Sequence, residues 1–455
     1  MLRTSENCVA FYGGSNTLIN GSSKTRVLIG SANKPMAKKQ SILRSNLGIL
    51  AITSGMWTFG GSMIGPFWGL YVLYLGGSPF HIGLISSVSS ALALLPSMFG
   101  GYLADRLSRK KMVYGLQVLL AVNTFVYIFA RNWVWLLVAR SFEAIISGFR
   151  NPAFSSFLAD STRADERMRN YGLWNTVPPL FGLVSPYLIG VFMDKYGVIQ
   201  AQRWAYVVLL IVTSVTAYIR YRYLDETKLV TDKLDINPRH MVKETLKDFR
   251  ETIKVLSRQT WALILLGAIY QFGVSLISVF MVNYAVEDVI HVSSSDWGLI
   301  NTVSTVIVIT TSIPFAMLAE RVGKRRLILI SLFATPFAIL GFTYSPGVSM
   351  ALLSFSVLTV LGSMGSVASQ ALFTDYFPSS HRGRINALTS VVGSMQSFSF
   401  LMAGGGIVGS LGTIVGGLLY GRVSYASPFL TMAAIIMMMA LLSLRYVVEP
   451  GKQEE

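Results

Sequence analysis

The sequence predicts an all-α polytopic membrane protein with twelve transmembrane helices in two six-helix, pseudo-symmetric bundles. Three observations predict it. Of the 455 residues, 52% are apolar and 13% are charged, too little charge for the surface of a soluble domain of this size. The apolar residues come in runs of roughly 20, the length at which a helix crosses a bilayer; barrel strands would alternate and be about half as long. Two charged stretches also recur at one fixed distance along the chain, as an internal duplication requires.

The first span, Leu47–Tyr74, follows a basic tail and stops at Gly76-Gly77. Phe80–Ala104 ends at Asp105, and Met112–Ala130 lies between Lys111 and Arg131. Trp133–Ala159 ends at Asp160 and is the span that carries internal charge. Tyr171–Met193 stops at Asp194-Lys195, and Trp204–Tyr221 at Arg222. The second six are Trp261–Val286, Trp297–Ala319, Leu327–Tyr344, Val348–Thr374, Leu388–Leu419 and Phe429–Val447. The organisation is a tail over 1–45, a bundle over 46–223, a linker over 224–259, a second bundle over 260–447 and a tail over 448–455. The first tail is polar, basic and rich in glycine and serine, and reads as disordered. In the linker, Val242, Leu246, Phe249, Ile253 and Leu256 recur at helical spacing among lysines and acids, as in an amphipathic helix lying on a membrane surface and tethering two halves.

Net charge is +16. In a soluble protein that would suggest a nucleic-acid partner, but the distribution argues otherwise. With the N-terminus inside, twelve spans place both tails and the even-to-odd loops in the cytoplasm. Those regions, with the inner span ends that carry Arg220 and Arg445, hold 32 of the 38 Lys and Arg; the outer loops hold Arg131, Lys195, Arg203 and Arg422, and the fourth span holds Arg140 and Arg150. This asymmetry predicts a plasma-membrane protein with both termini cytoplasmic and anionic lipid at its inner face. Cys8 is the one cysteine, so no intrachain disulfide and no cysteine metal site is expected. His81, His240, His291 and His381 have no ligand spacing, and no nucleophile with a partnering base is evident. No metal, cofactor or enzymatic activity is expected, and no nucleic-acid partner.

"GYLADRLSRKK" (101–111) is echoed by "AMLAERVGKRR" (316–326). Asp105, Arg106 and Arg109 match Glu320, Arg321 and Lys324, each 215 residues later. "ADSTRADERMR" (159–169) is echoed by "TDYFPSSHRGR" (374–384), so that Asp160 matches Asp375 and Arg167 matches Arg382 at the same offset. One offset across two loops marks a duplicated six-span unit. An even unit keeps both copies in one orientation, related by an axis along the membrane normal.

With these loops and twelve spans the chain, over about residues 46–447, resembles the major facilitator superfamily of transporters. The first stretch resembles the family's signature between helices 2 and 3, with Ser108 where glycine is usual; the second copy keeps Gly323 and has Ala316 in place of the leading glycine. The resemblance implies a cytoplasmic gate of Asp105, Arg106, Arg109, Asp160, Arg167, Glu320, Arg321, Lys324, Asp375 and Arg382. In it Asp105 sits near the start of helix 11, Arg109 reaches Asp160, Glu320 approaches helix 5 and Lys324 reaches Asp375.

The fourth span reads "WVWLLVARSFEAIISGFRNPAF". At about 100° per residue, Arg140, Glu143 and Arg150 share one face, and charge within a bilayer usually faces a functional cavity. "RSFEA" resembles the family's helix 4 signature, whose arginine is linked to proton coupling; Glu143 and Ala144 replace its glutamine and glycine. Three readings stay open here: Glu143 as proton carrier, the arginines as an anion site, or an Arg–Glu pair that only joins helices. "PLFGLVSPYLIGV" resembles the antiporter signature of helix 5, with Ser185-Pro186 for Gly-Pro and with Gly182 and Gly190 kept. Glycines in "AGGGIVGSLGTIVGG" suit close packing in helix 11. Trp57, Trp174, Asn175, Tyr270, Gln271 and Gln396 are candidate cavity-lining residues. The expectation is a monomeric secondary transporter of a small organic solute, proton-linked and exporting, with import or exchange of an organic anion through Arg140 and Arg150 as the alternative.

Overall fold

In the computed structural model, residues 45–104, 106–161, 167–227, 253, 256–376, 389, 406–447 and 449 are described, the side chains at 98, 167–173 and 175 excepted. The N-terminal tail, the expected linker helix, Asp105, Arg382 and Gln396 lie outside them, as do the side chains of Arg167 and Asn175.

The chain runs through α1 (Asn46–Tyr74), α2 (Pro79–Ala104), α3 (Arg109–Ile128), α4 (Trp133–Asp160), α5 in two pieces (Arg167–Gly182 and Ser185–Tyr196) and α6 (Val198–Tyr223). It continues through α7 (Arg258–Asp288), α8 (Ser294–Val322), α9 (Lys324–Thr343), α10 (Val348–Tyr376), α11 (Gly406–Arg422) and α12 (Ser427–Tyr446). Among the described residues, ten helices are long and apolar enough to cross a membrane. Of the other two, α4 is 28 residues long but carries Arg140, Glu143 and Arg150, and α11 is described over 17 residues.

Helix starts follow local chemistry. The Ser108 side chain accepts from Lys111 N at 3.1 Å and so caps α3, satisfying an amide that has no partner within the helix. Asn132 caps α4 in the same way, accepting from Val134 N and Trp135 N. The matching position of the second copy solves the turn differently: Gly323 sits at φ +101° before α9, a conformation open to glycine at little steric penalty. Serine in one copy and glycine in the other are therefore two ways of starting the same helix.

The duplication extends to the helix breaks. A 3-10 turn, Gly65–Phe67, interrupts α1, and α7 breaks after Ile277 and resumes at Met281. Just beyond each break stands a fully buried tyrosine. Tyr71 donates to Tyr127 O at 2.9 Å, and Tyr284 donates to Thr343 O at 2.7 Å, each tying the first helix of its half to the end of the third.

Within the first half α2 packs on α4, α1 on α5 and α6, and α3 on α4 and α6; within the second α9 packs on α10 and α12, α7 on α11 and α12, and α8 on α10. Between halves α2 packs on α11 and α5 on α8. Among the described residues, contacts between halves include a set at the end away from the α2–α3 and α8–α9 loops. There Tyr74 donates to Glu287 (2.7 Å) and Trp297 Nε1 to Pro66 O (3.0 Å). Asp194 accepts from Ser294 N (2.8 Å) and Ser295 N (2.9 Å), a carboxylate on the positive end of α8. A Cβ on Gly190 would overlap Ser294 O, and one on Gly298 would overlap Pro186 O, so α5 and α8 touch backbone to backbone. At the opposite, basic end, two ion pairs among the described residues each join helices of one half: Arg109 with Asp160, and Lys324 with Asp375.

Candidate functional site

A cavity of about 530 Å³ lies among α1, α2, α3, α4 and α6, in the size range of small-molecule sites. Among the described residues, Val279 of α7 is its one lining residue from the second half. Trp57, Trp68, Asn123, Tyr127, Arg140, Glu143 and Tyr206 give it its chemical character.

Helical spacing puts Arg140 and Glu143 one turn apart, and their side chains meet. Arg140 Nη1 donates to both Glu143 oxygens at 3.0 Å. Tyr127 of α3 donates its hydroxyl to Glu143 Oε2 at 2.6 Å. Tyr127 is held in turn by the Tyr206 ring, stacked at 4.6 Å with 3° between planes, and by the edge of Trp68 at 6.1 Å. The Arg140 guanidinium lies 5.6 Å from the centre of the Trp68 ring, within cation–π range. The Arg140 and Glu143 side chains are 47% and 28% exposed, and the cavity they line is what they are exposed to. The ion pair thus lines a solute-sized space, with a phenol and an indole set around it.

Arg150 shares the face of Glu143 but not its site. Seven residues of helix set them about 10 Å apart along the axis. Arg150 donates to Gln117 Oε1 of α3 at 3.0 Å and to Asn151 Oδ1 at 3.4 Å, and lies 5.4 Å from the Trp57 ring centre. The same Gln117 oxygen accepts from Arg220 of α6 at 3.3 Å. Arg220, which the charge count groups with the inner, basic end, is 3% exposed. It also donates to Thr53 Oγ1 (3.1 Å) and Ser54 Oγ (3.2 Å) of α1 and lies over the Phe154 ring at 5.3 Å. The three charges of α4 are thus not the full set of ionisable groups deep in the helices. Arg220 stands three residues from the end of α6, where sequence alone cannot separate a buried arginine from an interfacial one.

Of the other expected residues, Trp57 lines the cavity. Trp174 instead packs on Phe154 at 5.3 Å beside the buried cluster of Leu47, Leu50, Val113 and Phe157. Tyr270 and Gln271 are 4% and 0% exposed and belong to the packed interior of the second half, where Gln271 donates to Ser275 Oγ. Both stand where α11 approaches α7 closely: a Cβ on Gly412 would lie 2.6 Å from Phe272 O. At the basic end, Arg106 covers the Tyr102 ring at 4.3 Å. Glu320 and Arg321 are exposed. Sequence reasoning missed Tyr127, Tyr206, Trp68 and Asn123, since an aromatic or amide in an apolar span carries no sign of which face meets a cavity. Tyr127 has one available signal, its place in the helix next to the charged span.

Comparison with known proteins agrees with this architecture. An uncharacterised MFS-type transporter of Methanocaldococcus jannaschii is 22% identical over 370 residues, covering 79% of this chain and 92% of the relative. The quinolone resistance protein NorA of Staphylococcus aureus is 25% identical over 126 residues, 28% of this chain and 32% of the relative. Among solved structures, the peptide transporter POT in complex with sulfate superposes with a TM-score of 0.66 at 15% identity, covering 88% of this chain and 94% of that one. A mutant form of the nucleoside transporter NupG gives a TM-score of 0.66 at 14% identity, covering 89% of this chain and 100% of that one. At such identities the likeness is one of fold. The Major Facilitator Superfamily model matches residues 50–281 and 263–455, and the chain belongs to that family of membrane transporters.

Proposed function

We propose that the protein is a proton-linked secondary transporter that exports a small organic solute by alternating access. The observation that carries the reading is the Arg140–Glu143 pair with the Tyr127 hydroxyl on it, inside a cavity walled by membrane-length helices. Protonation of Glu143 frees Arg140, and the freed guanidinium and the neutral acid then present a different surface to the solute. Coupling arises because the solute and the proton compete for one arrangement of these groups. Similarity over 126 residues to a quinolone resistance protein supports export of an organic compound.

The excess of Lys and Arg in the tails and in the even-to-odd loops supports a cytoplasmic basic end at the plasma membrane. With that orientation the contacts of Asp194, Tyr74 and Trp297 close the outside. The gate at the basic end then consists of Asp105, Arg106, Arg109, Asp160, Arg167, Glu320, Arg321, Lys324, Asp375 and Arg382. Its pairs within each half, Arg109–Asp160 and Lys324–Asp375, fix the loops that must meet when the inside closes.

Flux of a panel of cationic, neutral and anionic solutes in proteoliposomes, with and without a pH gradient, tests the proposal. Flux of at least one class accelerated by the gradient is expected. Flux that ignores the gradient would remove the proton from the mechanism. The second reading, transport of an organic anion through Arg140 and Arg150, keeps support at Arg150 alone, because Glu143 already neutralises Arg140.

A further inference from the structure

We propose that Arg150, Gln117 and Arg220 form an anion-binding subsite that takes the carboxylate or phosphate group of a small organic solute. It lies on the basic side of the Arg140–Glu143 cavity and is separate from that pair. Two guanidinium groups donate to one amide oxygen, Gln117 Oε1, at 3.0 and 3.3 Å, so they lie within a few ångströms of each other. Among the described residues, neither forms an ion pair with a carboxylate. Buried cations are ordinarily paired, because a charge withdrawn from water needs a counter-charge. Two of them together, with the nearest acid on α4, Glu143, already paired to Arg140, form a local excess of positive charge inside the helix bundle.

Gln117 supplies the second, independent observation. It is 0% exposed, and its Nε2 has no hydrogen-bond partner in the structure. Because Oε1 faces both arginines, a flipped amide would turn its N–H groups toward two donors, and the orientation is fixed. The unpaired Nε2 donors therefore belong to the same buried amide that both guanidinium groups contact. The Ser54 hydroxyl, which accepts from Arg220 at 3.2 Å, adds another donor. Guanidinium forks match carboxylate and phosphate oxygens in pairs. Trp57, under the Arg150 guanidinium, also lines the central cavity, so the subsite borders the space the solute occupies. The assignment deepens the transport reading by naming an anionic substrate class, and rests on that reading for its biological sense.

Binding to the purified full chain in neutral detergent tests it without any gradient or flux, so its failure is distinct from a failure of proton coupling. Thermal unfolding is followed by tryptophan fluorescence while phenyl phosphate, benzoate or neutral benzyl alcohol is titrated at constant ionic strength. A saturable rise in Tm is expected with the two anions and none with the alcohol. Arg150→Gln and Arg220→Gln should each weaken half-saturation by about tenfold or more, the loss expected for charge-assisted hydrogen bonds; Lys111→Gln, an exposed cation nearby, should not. Gln117→Glu guards against variants that simply fail to fold. It places a carboxylate between the two guanidiniums, so it should unfold no lower than wild type and lose the anion response. Wild-type half-saturation in Gln117→Glu or in both arginine variants, or an equal response to benzyl alcohol, would overturn the proposal. So would saturation by short-chain phosphatidylglycerol with no response to phenyl phosphate or benzoate, which would assign the groups to a lipid headgroup.

Discussion

Tyr127 carries a hydroxyl 2.6 Å from Glu143 and a ring stacked face to face on Tyr206. Removing the hydroxyl leaves the stacking intact. Tyr127→Phe should therefore fold normally and slow gradient-driven flux several-fold, the effect of one lost hydrogen bond of about 1–1.5 kcal/mol to a carboxylate; initial rates in proteoliposomes measure it. At the basic end, Arg109 is 8% exposed and donates to Ala104 O as well as to Asp160. Lys324, in the matching pair, is more exposed. Arg109→Ala should lower Tm in detergent by an amount reflecting about 1–3 kcal/mol, since it strips partners from buried groups. Lys324→Ala should lower it less, as for a surface pair worth about 0–1 kcal/mol. At this scale the sequence was readable where charge interrupts an apolar run, as at Arg140 and Glu143. It was silent where charge sits near a span end, as at Arg220, and where a polar side chain turns into packing, as at Gln271.

Helices are where the duplication becomes physical. The 215-residue offset in the loops foretold two equal halves, and the breaks at Gly65–Phe67 and after Ile277 place equivalent joints in α1 and α7. These joints were not foretold, because neither depends on a charge pattern: Pro66 marks the first, and the second has no proline. The α5–α8 crossing shows what the antiporter-like segment does structurally. Gly190 faces Ser294, and Gly298 faces Pro186, leaving no room for a side chain. A bulky residue must push the helices apart at the end where the halves meet. Gly298→Leu is expected to raise labelling of a cysteine placed at Ser89, a cavity-lining position, by an impermeant reagent added from the side of Asp194. Cys8→Ser provides the background, since the chain has no other cysteine. Unchanged labelling would mean that the crossing does not hold that end closed.

The whole molecule joins an asymmetric site to a symmetric frame. Both halves share their loops, joints and buried tyrosines, yet Arg140, Glu143, Arg150 and Arg220 all belong to the first. At the positions of the second half that match Arg140, Glu143 and Arg150 stand Phe355, Leu358 and Gly365. Phe355 and Leu358 are 2% exposed. The frame could be read from span length and charge distribution because the bilayer imposes both. The separate surroundings of Arg140–Glu143 and of Arg150 on α4 could not, because they depend on which neighbours α3 and α6 present. In the proposed mechanism the second half is the body against which the first half rocks, and energy enters through Glu143. The most direct measurement compares gradient-driven accumulation with solute exchange at equal pH, in proteoliposomes holding wild type or Glu143→Gln. Wild type should do both, whereas Glu143→Gln should exchange solute but no longer accumulate it. Accumulation by Glu143→Gln at the wild-type rate would contradict a proton-carrying role for Glu143.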